Sequence, residues 1–134
     1  MTSILLKMNT EHNEIKEKLF LDGIDLYNQK QFYEAHEIWE ELWTEYRQVD
    51  DKFIQALIQL SVGYFHILNI NKKGAISLFN KSLSKFQMYK GLHRNIDVDI
   101  IIEDVEKTLN ILEQIDDIKN FKWETVKTID FINE

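Results

Sequence analysis

The chain has 134 residues, of which 44% are hydrophobic and 12% aromatic, and its formal net charge is −7. This length predicts a single all-α domain spanning 1–134 with a real core, and the composition excludes a disordered chain. The absence of cysteine excludes disulfides, thiolate metal sites and a cysteine nucleophile. An acidic surface repels phosphate backbones, so we expect no nucleic-acid partner.

Neither apolar stretch of the chain has the character of a targeting or membrane-spanning segment. Residues 1–8 are too short and too weakly apolar for a signal peptide. The stretch 53–70 approaches the length of a membrane span, but Gln, Ser and His side chains interrupt it. We therefore expect no membrane association and a cytoplasmic location.

Apolar residues at helical spacing predict five helices, and no alternation is long enough for a strand. The first helix covers about 10–28 with Thr10 as its N-cap, and the second covers about 31–47. The third follows a cap at Asp50 or Asp51 and is apolar almost all round, as the centre of a bundle requires. The fourth and fifth cover about 73–90, before Gly91, and about 98–115. The tail from residue 116 is apolar enough to dock as a short helix, and its apolar residues at 121–132 could equally pack on their own chain or cover a neighbouring subunit.

The first four predicted helices contain an internal repeat that appears when the chain is shifted by 40 residues. The coinciding pairs are Gly23 with Gly63, Ala35 with Ala75, Trp39 with Phe79, Trp43 with Leu83 and Tyr46 with Phe86. The spacing of small and aromatic residues resembles the tetratricopeptide hairpin, although that family repeats about every 34 residues. The predicted fold is a compact all-α bundle of about five helices: two stacked tetratricopeptide-like hairpins and a capping C-terminal region, 97–134.

A polar seam is predicted between the second and third helices. A short turn makes these helices antiparallel neighbours, so residues equally far from the turn lie at similar heights. Glu40 then lies level with Gln59, while His36 and Glu40 share one face at i,i+4 spacing. The residues of the seam are His36, Glu37, Glu40, Trp43, Gln55, Gln59 and His66.

The seam has three interpretations that the residues leave open. It is a structural hydrogen-bond network, or a small-molecule or peptide site, or a site for a divalent metal with His36, Glu40 and His66 as ligands. In the metal interpretation Glu37 is a candidate catalytic base, although it lies about 100° round the helix from His36.

Other conspicuous side chains are expected to be structural or solvated. Trp39 and Trp43 are expected in the core, and His12 and His93 at the surface. The glutamates at 37, 41 and 45 form an acidic face that could also meet a basic partner. No Ser/His/Asp arrangement or glycine-rich phosphate loop is readable.

Taken in order, these motifs resemble the bacterial and plastid domain-of-unknown-function family 309. The resemblance covers about 16–90 and rests on Tyr33-Glu34-Ala35-His36-Glu37-x-x-Glu40-Glu41-x-Trp43, on 53–60, on His66 and on Asn71-x-x-Gly74-Ala75. Ala56 stands where a glycine is usual in the family. The resemblance implies a compact helical domain without an established activity, for which metal or hydrolase chemistry has been suspected.

Two classes of function follow. The first is a binding or scaffold module for a protein, peptide or small molecule, acting as a monomer or homodimer. The second is a metal-dependent hydrolase that uses the candidate metal ligands of the seam. Whether the protein is an enzyme stays open at this point.

Overall fold

The computed structural model describes residues 3–132, in which five α-helices follow one another along the chain. They are α1 (Ser3–Asn28), α2 (Phe32–Glu45), α3 (Asp51–Leu68), α4 (Lys72–Phe86) and α5 (Val98–Gln114). Each helix packs against the next in the chain, which places α3 between α2 and α4. The predicted all-α class is therefore confirmed, and α3 supplies much of the core, as its apolar sequence indicates.

The two hairpins, α1–α2 and α3–α4, close with the same turn. The turn residue Lys30 has a φ of 63°, and Ile70, which lies 40 positions later, has a φ of 58°. The residue after each donates its amide to the carbonyl five positions back, at 2.9 and 2.8 Å. This bond satisfies one of the free carbonyls at the end of the first helix of each hairpin.

One glycine in each hairpin allows its two helices to pack closely. A Cβ added at Gly63 would lie 2.7 Å from Cε1 of Phe79, and one at Gly23 would overlap the indole of Trp39. The equivalent glycine–aromatic contacts explain why these residues recur at an offset of 40. The closer likeness to a tetratricopeptide hairpin stays a prediction.

A small β-hairpin, absent from our prediction, connects α4 to α5. A 3₁₀ turn at Gln87–Tyr89 leads into strands β1 (Leu92–His93) and β2 (Ile96–Asp97), which pair antiparallel. Arg94 and Asn95 form the two-residue loop with positive φ values of 49° and 59°, as a type I′ turn requires. Strands of two residues are too short to produce an alternating pattern.

The C-terminal segment docks on the helices of its own chain. Phe121, Val126 and Ile129 are at most 8% exposed. Asn28 forms two hydrogen bonds with the backbone of Ile129, donating to its carbonyl at 2.9 Å and accepting from its amide at 2.7 Å. The docking agrees with our expectation, but the segment contains 3₁₀ turns at Ile118–Asn120 and Trp123–Thr125 rather than a short helix.

Two predicted helix boundaries were wrong. The first helix begins at Ser3 rather than Thr10, because residues 3–9 contain no helix-breaking residue. Thr10 does not cap the helix but lies inside it, where its hydroxyl donates to the carbonyl of Leu6 at 3.0 Å. The fourth helix ends at Phe86, where a 3₁₀ turn takes over. No helix within residues 3–132 combines the length and apolarity needed to cross a bilayer.

Candidate functional site

The facing sides of α2 and α3 form the predicted seam. Far from the turn at 46–50, the Tyr33 ring lies 5.0 Å from the Phe65 ring. Near the turn, Trp43 and Gln55 line the same surface depression. The two helices are therefore antiparallel, and the pairing of heights inferred from the sequence holds to within a residue.

His36 and Glu40 are in direct contact on α2. The Nδ1 atom of His36 lies 2.7 Å from the carbonyl oxygen of Tyr33, and its Nε2 atom lies 3.1 Å from a carboxylate oxygen of Glu40. Both partners are acceptors, so the ring makes both hydrogen bonds only as an imidazolium. The Glu40 side chain is 54% exposed, which makes the pair a surface feature rather than a buried one.

His66 occupies a different position at the end of α3. Its Nδ1 atom lies 3.3 Å from the side-chain nitrogen Nδ2 of Asn71. The side-chain oxygen of Asn71 caps α4 by accepting from the backbone amide of Gly74 at 2.9 Å. Over residues 3–132, no three His, Cys, Asp or Glu side chains are placed to hold a metal ion. The proposed ligands His36, Glu40 and His66 thus do not fit an ion in this arrangement, and the metal set stays a prediction without geometric support.

The remaining seam residues differ in depth. The amide oxygen of Gln59 is buried without a hydrogen-bond partner. Trp43, by contrast, is 40% exposed, so our expectation of a core position for it was wrong, whereas Trp39 is fully buried. Glu37 is exposed on the outer face of α2, as its position round the helix indicated.

The seam lies inside a segment that matches the model of a known protein family. Residues 20–78 match the family model described as Domain of unknown function (DUF309). The predicted family is confirmed over this segment. The DUF309 match runs from the second half of α1 into α4, and so contains every seam residue. No curated protein matches the chain significantly.

A polar cluster that sequence reasoning missed connects the DUF309 segment to the β-hairpin beyond it. Asp50 accepts from Nε2 of His93 at 2.7 Å, and from Nε and Nη2 of Arg94 at 2.7 and 2.8 Å. Arg94 also donates to the side-chain oxygen of Gln48 at 3.0 Å, and its guanidinium lies 4.5 Å from the centre of the Phe20 ring. We call Gln48, Asp50, His93 and Arg94 the hairpin latch.

The electrostatics of the hairpin latch favour a charged Asp50. Burial opposes its ionisation, but the hydrogen bonds from Arg94 and His93 outweigh burial and hold the pKa of Asp50 below its usual range. His93 also packs against Phe53, with ring centres 4.6 Å apart, and its side chain is 28% exposed, so it lies only partly at the surface, where we expected it. His12 is exposed, as expected. The left-handed Arg94–Asn95 turn contains no glycine, so no local sequence signal predicted it.

A second buried polar group lies on α5. Asp104 is 7% exposed, its Oδ1 atom is buried without a partner, and its Oδ2 atom lies 3.4 Å from the amide of Lys127. Beside it the Tyr64 hydroxyl bonds to the Thr108 hydroxyl at 3.0 Å. Burial raises the pKa of Asp104 and, together with the nearby Asp104 charge, that of Tyr64. The adjoining cavity, bordered also by Tyr27, holds no more than about one water molecule. This cluster is a structural group, since it offers no room for a substrate.

Proposed function

We propose that this protein is a binding module that takes a short basic segment of a partner protein along the α2–α3 seam. The observation that carries the proposal is the exposure of two large aromatic side chains on α2. Tyr33 is 44% exposed and Trp43 is 40% exposed. Tyrosine and tryptophan are the residues that most often dominate the binding energy of protein interfaces.

The spacing of the two aromatic residues sets the length of the expected ligand. They lie ten positions apart on one helix, which corresponds to about 15 Å along its axis. An extended peptide covers this distance with about four or five residues. Two apolar side chains separated by that interval would reach both aromatic rings.

Polar groups between the aromatic residues suit a peptide backbone. The amide oxygen of Gln59 is buried without a partner, and it would accept a hydrogen bond from a peptide only if the side chain turned outward, which would relieve the cost of an unsatisfied buried acceptor. The depression beside Trp43 can receive one apolar side chain; its border also includes Thr44, Gln55, Asp51 and the basic Arg47 and Lys52, so the basic side chains of the ligand would lie outside it. The seam thus offers both an anchor and hydrogen-bonding capacity.

The charge of α2 selects the kind of peptide. The helix carries five glutamates and neither lysine nor arginine. Of these, only Glu40 forms an ion pair within the described part of the chain, and its partner is His36. The negative charge of α2 as a whole attracts lysine and arginine and repels acidic segments, so it supplies specificity and a faster encounter.

Peptide display against the whole chain tests this function. Selections on the wild type should enrich peptides that combine lysine or arginine with two apolar residues about four positions apart. Binding of synthetic copies, measured by calorimetry, should fall at least tenfold in Trp43→Ala and in Tyr33→Ala. Met88→Ala is the control, because Met88 is also a large exposed apolar side chain but is distant in the chain from the seam. Peptides that bind all four proteins equally well would refute the seam as the binding site.

A further inference from the structure

The exposed faces of α2 and α4 carry opposite charges at equivalent positions of the repeat. At the 40-residue offset, Glu41 corresponds to Lys81 and Glu45 corresponds to Lys85. The contrast extends over the whole helices, since α2 has five glutamates and no basic residue other than His36, whereas α4 has four lysines and no acidic residue.

These charges have no ion-pair partners inside the part of the chain that the structure describes. Neither Glu41 nor Glu45 is within ion-pair distance of a basic group, and the same holds for Lys81 and Lys85 with respect to carboxylates. Lys52, at the start of α3, adds a third ammonium group to the basic side. Burial and the charges of Lys52 and Lys81 lower the pKa of Lys85, as expected for like charges that crowd one another.

We propose that α2 of one copy of this chain docks on α4 of a second copy, with Glu41 and Glu45 facing Lys81 and Lys85. Because α2 and α4 occupy equivalent places in the two hairpins, a two-fold arrangement forms this contact twice and leaves neither face uncovered. Such a closed, self-complementary contact is the commonest form of oligomer. The complementary charge pattern on a single chain is what favours a second copy over an unrelated partner.

Partly exposed apolar side chains accompany both sets of charges. Ile38 precedes Glu41 by three positions on α2, and Leu78 precedes Lys81 by three positions on α4. Each therefore lies on the same side of its helix as the charges. The docking contact would bury these two side chains while the charges set its register and specificity.

The charges that we propose for docking lie on a different side of α2 from the Trp43 of the peptide seam, although Lys52 borders both surfaces. Glu45 follows Trp43 by two positions, which places it about 200° round α2. The two proposals can therefore fail independently. A wild-type protein that stays monomeric yet binds basic peptides would overturn the docking proposal alone.

Sedimentation velocity with charge-reversal variants tests the docking surface. The wild-type chain should sediment at twice the monomer mass in low salt and dissociate in high salt, because screening shortens the reach of exposed charges to about 3 Å at 1 M. The pair of changes Glu41→Lys and Glu45→Lys should give a monomer, and so should Lys81→Glu with Lys85→Glu. A monomeric wild type in low salt, or a dimer in either double variant, would overturn the proposal.

Restoring the charge match separates docking from misfolding. An equimolar mixture of the two double variants should form a heterodimer, and the chain with all four changes should form a homodimer, since each again sets acidic against basic faces. The control Glu103→Lys with Glu106→Lys alters exposed charges on α5 and should leave the wild-type dimer intact. Failure of both the mixture and the four-fold variant to associate would refute the pairing of α2 with α4.

Discussion

Replacement of Asp104 by asparagine should stabilise the protein at neutral pH. The carboxyl group is 7% exposed, one of its oxygens has no partner, and the other accepts a long hydrogen bond of 3.4 Å. An asparagine of the same shape keeps an acceptor for the Lys127 amide and carries no charge. Its amide group can also donate towards the neighbouring tyrosine hydroxyls, which a carboxylate cannot do.

The size and the pH dependence of the effect follow from burial. Leaving a buried polar group unsatisfied costs about 1–3 kcal/mol, and one of the two Asp104 oxygens is in that position, so we expect a gain of about 1–2 kcal/mol. Burial raises the pKa of Asp104 in the folded protein. The folded state therefore holds its proton more tightly than the unfolded chain, and the unfavourable contribution is present above the raised pKa. It disappears as the pH falls through that pKa towards the unfolded value, so the advantage of asparagine should shrink in acid.

Urea unfolding at neutral and at mildly acidic pH measures this difference. Asp104→Asn should raise the midpoint at neutral pH without changing the slope, and the two proteins should converge in acid. Asp116→Asn, an exposed replacement of the same kind, should leave the midpoint unchanged at both pH values. A variant that is less stable than the wild type at neutral pH would show that the Asp104 carboxylate is better satisfied than its geometry indicates.

Three further changes test the glycine–aromatic packing, the hairpin latch and the His36–Glu40 pair. Gly63→Ala should lower the unfolding free energy by about 1–3 kcal/mol, because its Cβ would meet the Phe79 ring, and an unchanged thermal midpoint would contradict that contact. Arg94→Ala should cost about 2–4 kcal/mol at neutral pH by leaving Asp50, 12% exposed, with a single partner. The pKa of Asp50 is lowered in the folded protein, so this loss of stability should fade only in acid, below the ordinary aspartate pKa of about 3.9. Urea unfolding of both proteins across that pH range measures the change. His36→Ala should cost less than about 1 kcal/mol in the same assay, and a loss of several kcal/mol would show that the pair with Glu40 is more buried than its exposure indicates.

The helices and their order could be predicted because helical periodicity is strong along this chain. Each of the five predicted helices is present, and the glycine–aromatic repeat located both hairpins. The start of α1 could not be predicted, because Thr10 is a good cap by type but also bonds within a helix. The β-hairpin escaped prediction because its two strands have two residues each and its turn contains no glycine.

The site was only partly predictable because spacing fixes which face a residue occupies but not how deep it lies. Helical arithmetic placed His36 next to Glu40, and Trp43 near Gln55. It could not show that Trp43 is exposed, since an aromatic residue in the apolar stripe of a helix is buried only if another element covers it. The hairpin latch joins Asp50 to His93 and Arg94 over more than forty positions, and no local pattern reports such a contact.

The two hairpins agree where they pack and differ where they meet solvent. Gly23 and Gly63 each receive an aromatic ring from the following helix, and the closing turns share one backbone conformation. On the outer faces, however, glutamates at 41 and 45 correspond to lysines at 81 and 85. Packing does not require this difference, because exposed charges contribute little to stability. Charge on exposed helices acts mainly on what approaches them, so the outer faces of α2 and α4 are where the binding specificity of this protein should be sought.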